Sequence, residues 1–163
     1  MIVLSDTSPI HYLVLIGHVE ILPAMFGQVV VPSAVLAELQ RSGAPEAVRN
    51  WLTNPPSWFL VRTPQQVDET IQLGQGETEA ISLAVELKAD LLLMDDRRAR
   101  RVAASRGLPV AGTVNVLEIA AQRDLIDLPQ TIAELRKTNF HISDRILARA
   151  LDADAERRGR DKP

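Results

Sequence analysis

Cysteine is absent from the 163-residue sequence. Its absence excludes disulfide bonds, thiolate catalysis and cysteine-based zinc sites. The chain has only three histidines, His11, His18 and His141, and they lack a metal-binding spacing such as HxxxH. No apolar run approaches the roughly 20 residues that span a bilayer, and no basic region precedes the first apolar segment as it would in a secretory signal. We therefore expect a cytoplasmic protein with no membrane partner.

Several nucleotide-binding and hydrolase motifs are also missing. There is no GxxxxGK[ST] loop, no GxGxxG after a strand, and no GxSxG around Ser8. The net charge is −3, which by itself does not indicate a nucleic-acid-binding protein. Arginines are nevertheless concentrated between residues 97 and 106 and again between 157 and 160. The charge distribution is therefore more informative than the total.

Short apolar segments of β type alternate with helical patterns along the first two thirds of the chain. The strand-like segments cover residues 2–4, 29–31, 58–61, 91–94 and 110–111. Strands that alternate with helices form right-handed crossovers and a mostly parallel sheet. We therefore predict an α/β fold with helices flanking a central sheet, including a short helix at residues 63–73. The last third has no strand signal and predicts two helices between Leu128 and Glu156.

Four carboxylates from separate segments can meet at one edge of this sheet. Asp6 follows the first strand and Asp96 follows the fourth, at the carboxyl edge where open α/β sheets bind ligands. Glu38 lies one to two turns into the helix after the second strand. Glu79 lies in the first turn of the helix before the fourth strand. The simpler interpretation of each residue is a helix cap or a solvated side chain.

A carboxylate cluster of this kind predicts a bound cation. Two carboxylates about 4 Å apart repel by roughly 4 kcal/mol at an effective dielectric constant near 20. The cluster therefore needs protons or a cation. Because only carboxylate and hydroxyl oxygens are available, Mg²⁺ or Mn²⁺ is the expected ion. Such an ion would support phosphodiester hydrolysis.

Glu77 and Glu79 compete for the third acidic position. They are two residues apart, about 200° around a regular helix, so both cannot point into one site. If Gly76 is the N-cap, Glu79 is the third helical residue, where glutamate can fold back onto the backbone. We take Glu79 as the expected ligand and Glu77 as a supporting residue, and the choice between them stays open.

Four segments, in this order, resemble the acidic motifs of the PIN-domain nucleases. They are Asp6-Thr7-Ser8, Val35-Leu36-Ala37-Glu38-Leu39, Gly76-Glu77-Thr78-Glu79-Ala80-Ile81 and Leu93-Met94-Asp95-Asp96. The resemblance covers residues 2–123 and is strongest to a prokaryotic branch similar to VapC-type toxins of toxin–antitoxin pairs. It implies a PIN-like nuclease domain at 1–125. The helices at 126–156 exceed a minimal domain of this family, and we expect them to form a C-terminal extension of the same domain. The basic composition of residues 157–163 predicts a flexible tail.

The resemblance also implies an activity, namely a Mg²⁺- or Mn²⁺-dependent endoribonuclease that acts as a toxin. The implied catalytic and metal-binding residues are Asp6, Glu38, Glu79 and Asp96, with Asp95 as a further ligand and Thr7, Ser8 and Glu77 as supporting residues. Two positions depart from the family pattern. Glu79 stands where aspartate is common, and Met94 stands where threonine or serine is common.

The arginines after Asp96 predict a substrate surface. On a regular helix Arg97, Arg100 and Arg101 share one face, where they can neutralise the phosphates of RNA. The competing interpretations are a solvated face and contacts with acidic or C-terminal groups of an antitoxin protein. Three further alternatives stay open: a weak or inactive PIN-like module that binds RNA or a regulatory protein, a DNA-directed nuclease, and a homodimer.

Overall fold

A computed structural model describes all 163 residues, and its central feature is one sheet of five parallel strands. The strands are β1 (Val3–Ser5), β2 (Val29–Pro32), β3 (Phe59–Arg62), β4 (Leu91–Leu93) and β5 (Val110–Ala111). The helices are α1 (Thr7–Leu15), α2 (Ile21–Phe26), α3 (Ser33–Leu39), α4 (Glu46–Leu52), α5 (Gln75–Glu86), α6 (Arg97–Ser105), α7 (Thr113–Gln122), α8 (Leu128–Arg136) and α9 (Asp144–Arg160). None of these helices has both the length and the apolar character needed to cross a bilayer. The predicted α/β class is confirmed.

The strand order places the ends of β1 and β4 side by side. The order across the sheet is β3-β2-β1-β4-β5. β2 and β3 therefore lie on one side of β1, and β4 and β5 lie on its other side. Leu4 pairs with Val30 of β2 and with Leu92 of β4. Just beyond the strands, the amide of Asp6 donates to the carbonyl of Leu93 at 2.9 Å. Ligands of open α/β sheets bind at this reversal of strand order, outside the carboxyl ends.

Small residues let α5 and α6 pack closely against the sheet. Ala80 and Ala84 of α5 and Ala99 and Ala103 of α6 have no exposed surface, and they share a core cluster with Leu92. Burial on both faces explains why the strands read as short continuous apolar runs. The core therefore fixes the first turns of α5 and α6 at the carboxyl edge.

The predicted short helix at residues 63–73 is wrong, because this segment is a loop. Asp68 Oδ1 accepts a hydrogen bond from the Thr70 amide at 3.0 Å, and Asp68 Oδ2 pairs with Arg106 Nη2 at 3.0 Å. An aspartate that binds the backbone two residues ahead stabilises a turn at the expense of a helix. The amide of Asp68 donates to Ser82 Oγ, which ties the loop to α5.

Two compact units divide the chain, Met1–Thr113 and Val114–Pro163. The division of the chain at 125/126 stays a prediction. The first unit contains the whole sheet. In the second unit the apolar sides of α8 and α9 are buried at residues such as Ile132 and Leu147.

Helix α9 extends to Arg160, so the tail expected from residue 157 begins only after that residue. Arg157 Nη2 donates to the Ala121 carbonyl at 3.1 Å and to Asp154 Oδ1 at 3.1 Å. Arg158 Nη2 lies 2.8 Å from Asp154 Oδ2. Asp154 is buried, and these two arginines balance its charge. The basic residues thus hold the last turns of the helix.

Candidate functional site

Asp6 is a buried carboxylate at the end of the central strand. It occupies the N-cap position of α1, yet its side chain makes no capping hydrogen bond. The residue is 5% exposed, and Oδ1 has no hydrogen-bond partner. Burial raises the pKa of Asp6 to about 7; the Thr7 amide opposes the rise, and the carboxylates of Glu77, Glu38 and Asp95 add to it. The simple capping interpretation therefore does not account for this side chain.

Glu38 is held from two sides by groups on other helices. The hydroxyl of Thr7, in α1, donates to Glu38 Oε2. The amide of Gly76, in α5, donates to Glu38 Oε1 at 3.2 Å. A Cβ at position 76 would lie only 2.5 Å from Oε1, so this approach requires glycine. The sequence pattern did not single out Gly76 for this role, although glycine in the first turn of a helix is a signal of close contact.

The first turn of α5 brings Glu77 towards the other acids. The N-cap is Gly74 rather than Gly76, so Glu77 is the third helical residue. Glu77 Oε2 accepts from the Gly74 amide at 3.3 Å, as a glutamate at this position often does. Burial, then the negative charge of Asp96, then that of Glu38 raise the pKa of Glu77. Glu77 thus belongs to the same electrostatic group as Asp6.

Glu79 instead contacts the beginning of α3. Its Oε2 accepts a hydrogen bond from the Ala34 amide at 2.8 Å. The N-cap of α3 is Pro32, whose side chain has no acceptor, and the amides in the first turn of a helix lack intrahelical partners. A side chain from α5 therefore supplies the missing cap. This position differs from the ligand position expected from the sequence.

The two aspartates after β4 have different surroundings. Asp96 is exposed and caps α6, with Oδ1 accepting from the Ala99 amide at 2.9 Å. Asp95 uses both oxygens on Thr113, accepting from its amide at 2.7 Å and from its hydroxyl at 2.6 Å. Burial raises the pKa of Asp95, and the bonds to Thr113 oppose that rise. Asp95 thus fixes the first residue of α7.

The remaining expected residues lie around this group. Ser8 is half-buried in the first turn of α1. Arg97 and Arg101 are exposed on α6, and Arg100 is half-buried. Arg106 is bound to Asp68 and so differs from the arginines at the start of the helix.

The side chains around Asp6 meet some requirements of a site for a hard divalent cation. No group of three or more Asp, Glu, His or Cys side chains is arranged to hold a metal ion as the side chains stand. Two observations fit a cation nevertheless. Asp6 Oδ1 is buried without a partner, and the surrounding donors are carboxylate and hydroxyl oxygens, which Mg²⁺ and Mn²⁺ prefer.

Comparisons with known proteins identify the family and the fold. A family model described as DUF3368, PIN domain, matches residues 2–156. The chain belongs to the PIN-domain family. A search of curated proteins gave no match. A PilT N-terminus domain protein from the hyperthermophilic archaeon Sulfolobus solfataricus is similar in structure, with a TM-score of 0.52 and 19% sequence identity over 88% of this chain and 100% of the other.

Membership of the PIN-domain family supports a nuclease-like module with a nucleic-acid substrate. The structural similarity, at this low identity, supports the fold alone. In this PIN domain, the carboxyl edge of β1 and β4 carries the group formed by Asp6, Glu38, Glu77 and Asp96.

Proposed function

We propose that this PIN domain is a Mg²⁺- or Mn²⁺-dependent endoribonuclease. The observation that carries the proposal is Asp6, whose buried Oδ1 has no partner although three other carboxylates add to its negative surroundings. A buried charge without a partner is costly, and a cation would supply the missing interaction. The proposed ligands are Asp6, Glu38, Glu77 and Asp96.

This set changes the expected one at the third acid. Glu77 replaces Glu79 because Glu77 interacts electrostatically with Asp96 and Glu38, whereas Glu79 caps α3. We assign Asp95 as a supporting residue and not as a ligand, because both of its oxygens accept hydrogen bonds from Thr113.

Each side chain has a role that follows from its contacts. The hydroxyl of Thr7 and the amide of Gly76 orient Glu38, so that residue enters the site with little freedom to move. Asp96 Oδ1 accepts a hydrogen bond from the Ala99 amide, and its Oδ2 is the oxygen proposed to face the cation. When bound, the cation would polarise the phosphodiester and lower the pKa of the attacking water. Burial of Asp6 restricts water around that charge and strengthens its interactions.

The motif order and the arginines support a proposed substrate and biological role. The segments around Asp6, Glu38, Glu77 and Asp96 resemble those of VapC-type toxins, which supports a cytoplasmic toxin that is neutralised by an antitoxin protein. The exposed arginines Arg97 and Arg101 begin next to Asp96 and support contacts to RNA phosphates. Arg100 completes this proposed surface on α6.

Cleavage assays on matched variants test the proposal. Purified wild type should cleave single-stranded RNA with Mn²⁺ or Mg²⁺ and lose that activity in excess chelator. Glu77→Gln and Asp96→Asn should reduce kcat by at least about 100-fold, the scale of losing a charged group that acts in the transition state. Glu69→Gln removes an exposed glutamate outside the group and should leave kcat unchanged. Activity in both site variants at the wild-type rate would refute the assigned site.

A second function has two observations in its favour. Met94 is completely buried where the family commonly has a polar residue, and no ready ligand set is formed. A non-catalytic module would bind RNA or a regulatory protein with metal-independent affinity. RNA binding without cleavage in either cation would favour this function, whereas cleavage of DNA in preference to RNA would identify a DNA-directed nuclease.

A further inference from the structure

Two hydrogen bonds join α3 and α5 at opposite ends of one helical turn. The Ala34 amide donates to Glu79 Oε2 at 2.8 Å, and the Gly76 amide donates to Glu38 Oε1 at 3.2 Å. Ala34 and Glu38 are four residues apart on α3, and Gly76 and Glu79 are three apart on α5. Such spacings place each pair on one face of its helix. The two bonds therefore connect the same two faces. The earlier residue of α3, Ala34, is bound to the later residue of α5, Glu79, and the later residue of α3, Glu38, is bound to the earlier residue of α5, Gly76.

We infer that Glu79 is a positioning residue that holds α3 against α5 so that Glu38 reaches Thr7 and Gly76. This inference rests on the proposed function, since it assigns Glu79 a task in the same site. Glu79 acts through Glu38 and does not itself touch the reacting atoms.

The bonding requirements at each end support this role. Ala34 is buried, and its amide is one of the first-turn donors that α3 cannot satisfy internally. Without Glu79 that donor would be left unpaired, and the beginning of α3 would have to move towards another acceptor. Glu38 is one turn further along the same face, so a shift at Ala34 also displaces Glu38.

The tolerance for such a shift is small. The Glu38 carboxylate occupies the space that a Cβ at position 76 would need, since an added Cβ would lie 2.8 Å from Glu38 Cδ. The Gly76 amide nitrogen and Glu38 Oε1 are already 3.2 Å apart, at the long end of the hydrogen-bond range. A displacement of α3 away from α5 would therefore break this bond.

Amide hydrogen exchange tests the coupling without any need for activity. The Gly76 amide is also a first-turn donor, so its protection reports the bond to Glu38. We expect Glu79→Ala to accelerate exchange at both Ala34 and Gly76 in metal-free protein. Glu79→Gln keeps a side-chain acceptor and should retain protection at both. Faster exchange at Ala34 alone would show that Glu79 only caps α3 and would overturn the inference.

Cleavage kinetics separate positioning from metal binding. Glu79→Gln should retain kcat within about threefold of wild type, and Glu79→Ala should lower kcat by about 10-fold to about 100-fold, because small displacements of a reacting group are costly. A loss in Glu79→Gln as large as that in Glu77→Gln would overturn the positioning role. Glu69→Gln is the control for removal of one negative charge.

The same experiments remain decisive if Glu79→Ala does not fold or if the wild type does not cleave RNA. If Glu79→Ala does not fold, Glu79→Met preserves the side-chain length without a strong acceptor and takes its place. If the wild type shows no cleavage with Mn²⁺, the proposed function fails, while exchange at Gly76 still decides whether Glu79 positions Glu38.

Discussion

The Glu38 carboxylate and the Gly76 backbone are in such close contact that a Cβ at position 76 would lie 2.5 Å from Glu38 Oε1. We therefore expect Gly76→Ala to displace the Glu38 carboxylate and to break its bond to the Gly76 amide, at a cost of about 1.5–3 kcal/mol for a hydrogen bond to a charged group. Thermal unfolding should show the stability loss, and metal-dependent cleavage should fall with it.

Gly43→Ala is the matched control for this substitution. A Cβ at Gly43 meets nothing within 4 Å, so stability and activity should stay close to wild type. If Gly76→Ala behaved like Gly43→Ala in both assays, the close contact would have no functional importance.

Thr7→Val removes the hydroxyl that donates to Glu38 while keeping a similar shape. A lost hydrogen bond to a charged group costs about 1.5–3 kcal/mol. Because the bond orients a proposed ligand, we expect kcat to fall and the apparent Mn²⁺ affinity to weaken. Thr53→Val removes an exposed hydroxyl bonded to the Asn50 carbonyl and should leave metal titrations unchanged. Equal Mn²⁺ affinity in both valine variants would contradict the orienting role of Thr7.

Asp6 predicts how the stability of the metal-free protein depends on pH. Its pKa is about 7 in the folded protein, raised by burial from an ordinary value of 3.8. Between these values the unfolded chain releases a proton that the folded protein keeps, so rising pH favours unfolding. We expect the contribution of Asp6 to be favourable below about pH 4 and lost as the pH rises through about 7.

Denaturant unfolding in excess chelator at several pH values measures this effect. Asp6→Asn should remove that part of the pH dependence and make the metal-free protein more stable than wild type at pH 8. The same variant should be inactive, because it loses a proposed ligand. If the stability of Asp6→Asn depended on pH as that of wild type does, the raised pKa of Asp6 would not be the cause of the pH dependence.

Salt dependence of RNA binding tests the arginines of α6. Each phosphate contact with a single strand contributes roughly 0.7 to the slope of log affinity against log salt. Arg97→Ala/Arg101→Ala should therefore bind RNA more weakly and with a shallower slope. The control is Arg145→Ala/Arg149→Ala, which removes two exposed arginines at the same spacing on α9. A slope that is lowered equally in both variants would point to a general charge effect.

The fold could be predicted because its signals are local. Short apolar runs such as Leu91–Leu93, separated by helical patterns, are sufficient to indicate a parallel sheet, and they place Asp6 and Asp96 at one edge. The choice between Glu77 and Glu79 could not be made from the sequence, since it depends on where α5 begins. In the structure the N-cap is Gly74, the charges of Asp96 and Glu38 act on Glu77, and Glu79 accepts from the Ala34 amide of α3.

Contacts between distant segments explain the other differences. Asp68 forms a turn and binds Arg106, which overrides the helical pattern at 63–73. Asp95 binds Thr113, which lies 18 positions further along the chain. The sequence around Asp95 does not reveal this partner, so the residue was expected to be a metal ligand. The sequence places Arg157 in a basic tail, because its bond to the Ala121 carbonyl, 36 positions earlier, leaves no local sequence signal.

On the proposed function, the central position of β1 would link the supply of cation to the lifetime of the protein. β1 is paired on both sides, with β2 and β4, so repulsion at Asp6 weakens the strand whose loss would split the sheet. On the proposed function, a bound cation shifts the folding equilibrium by RT ln(1 + [L]/Kd). Proteases that cleave the opened chain would then remove metal-depleted molecules first.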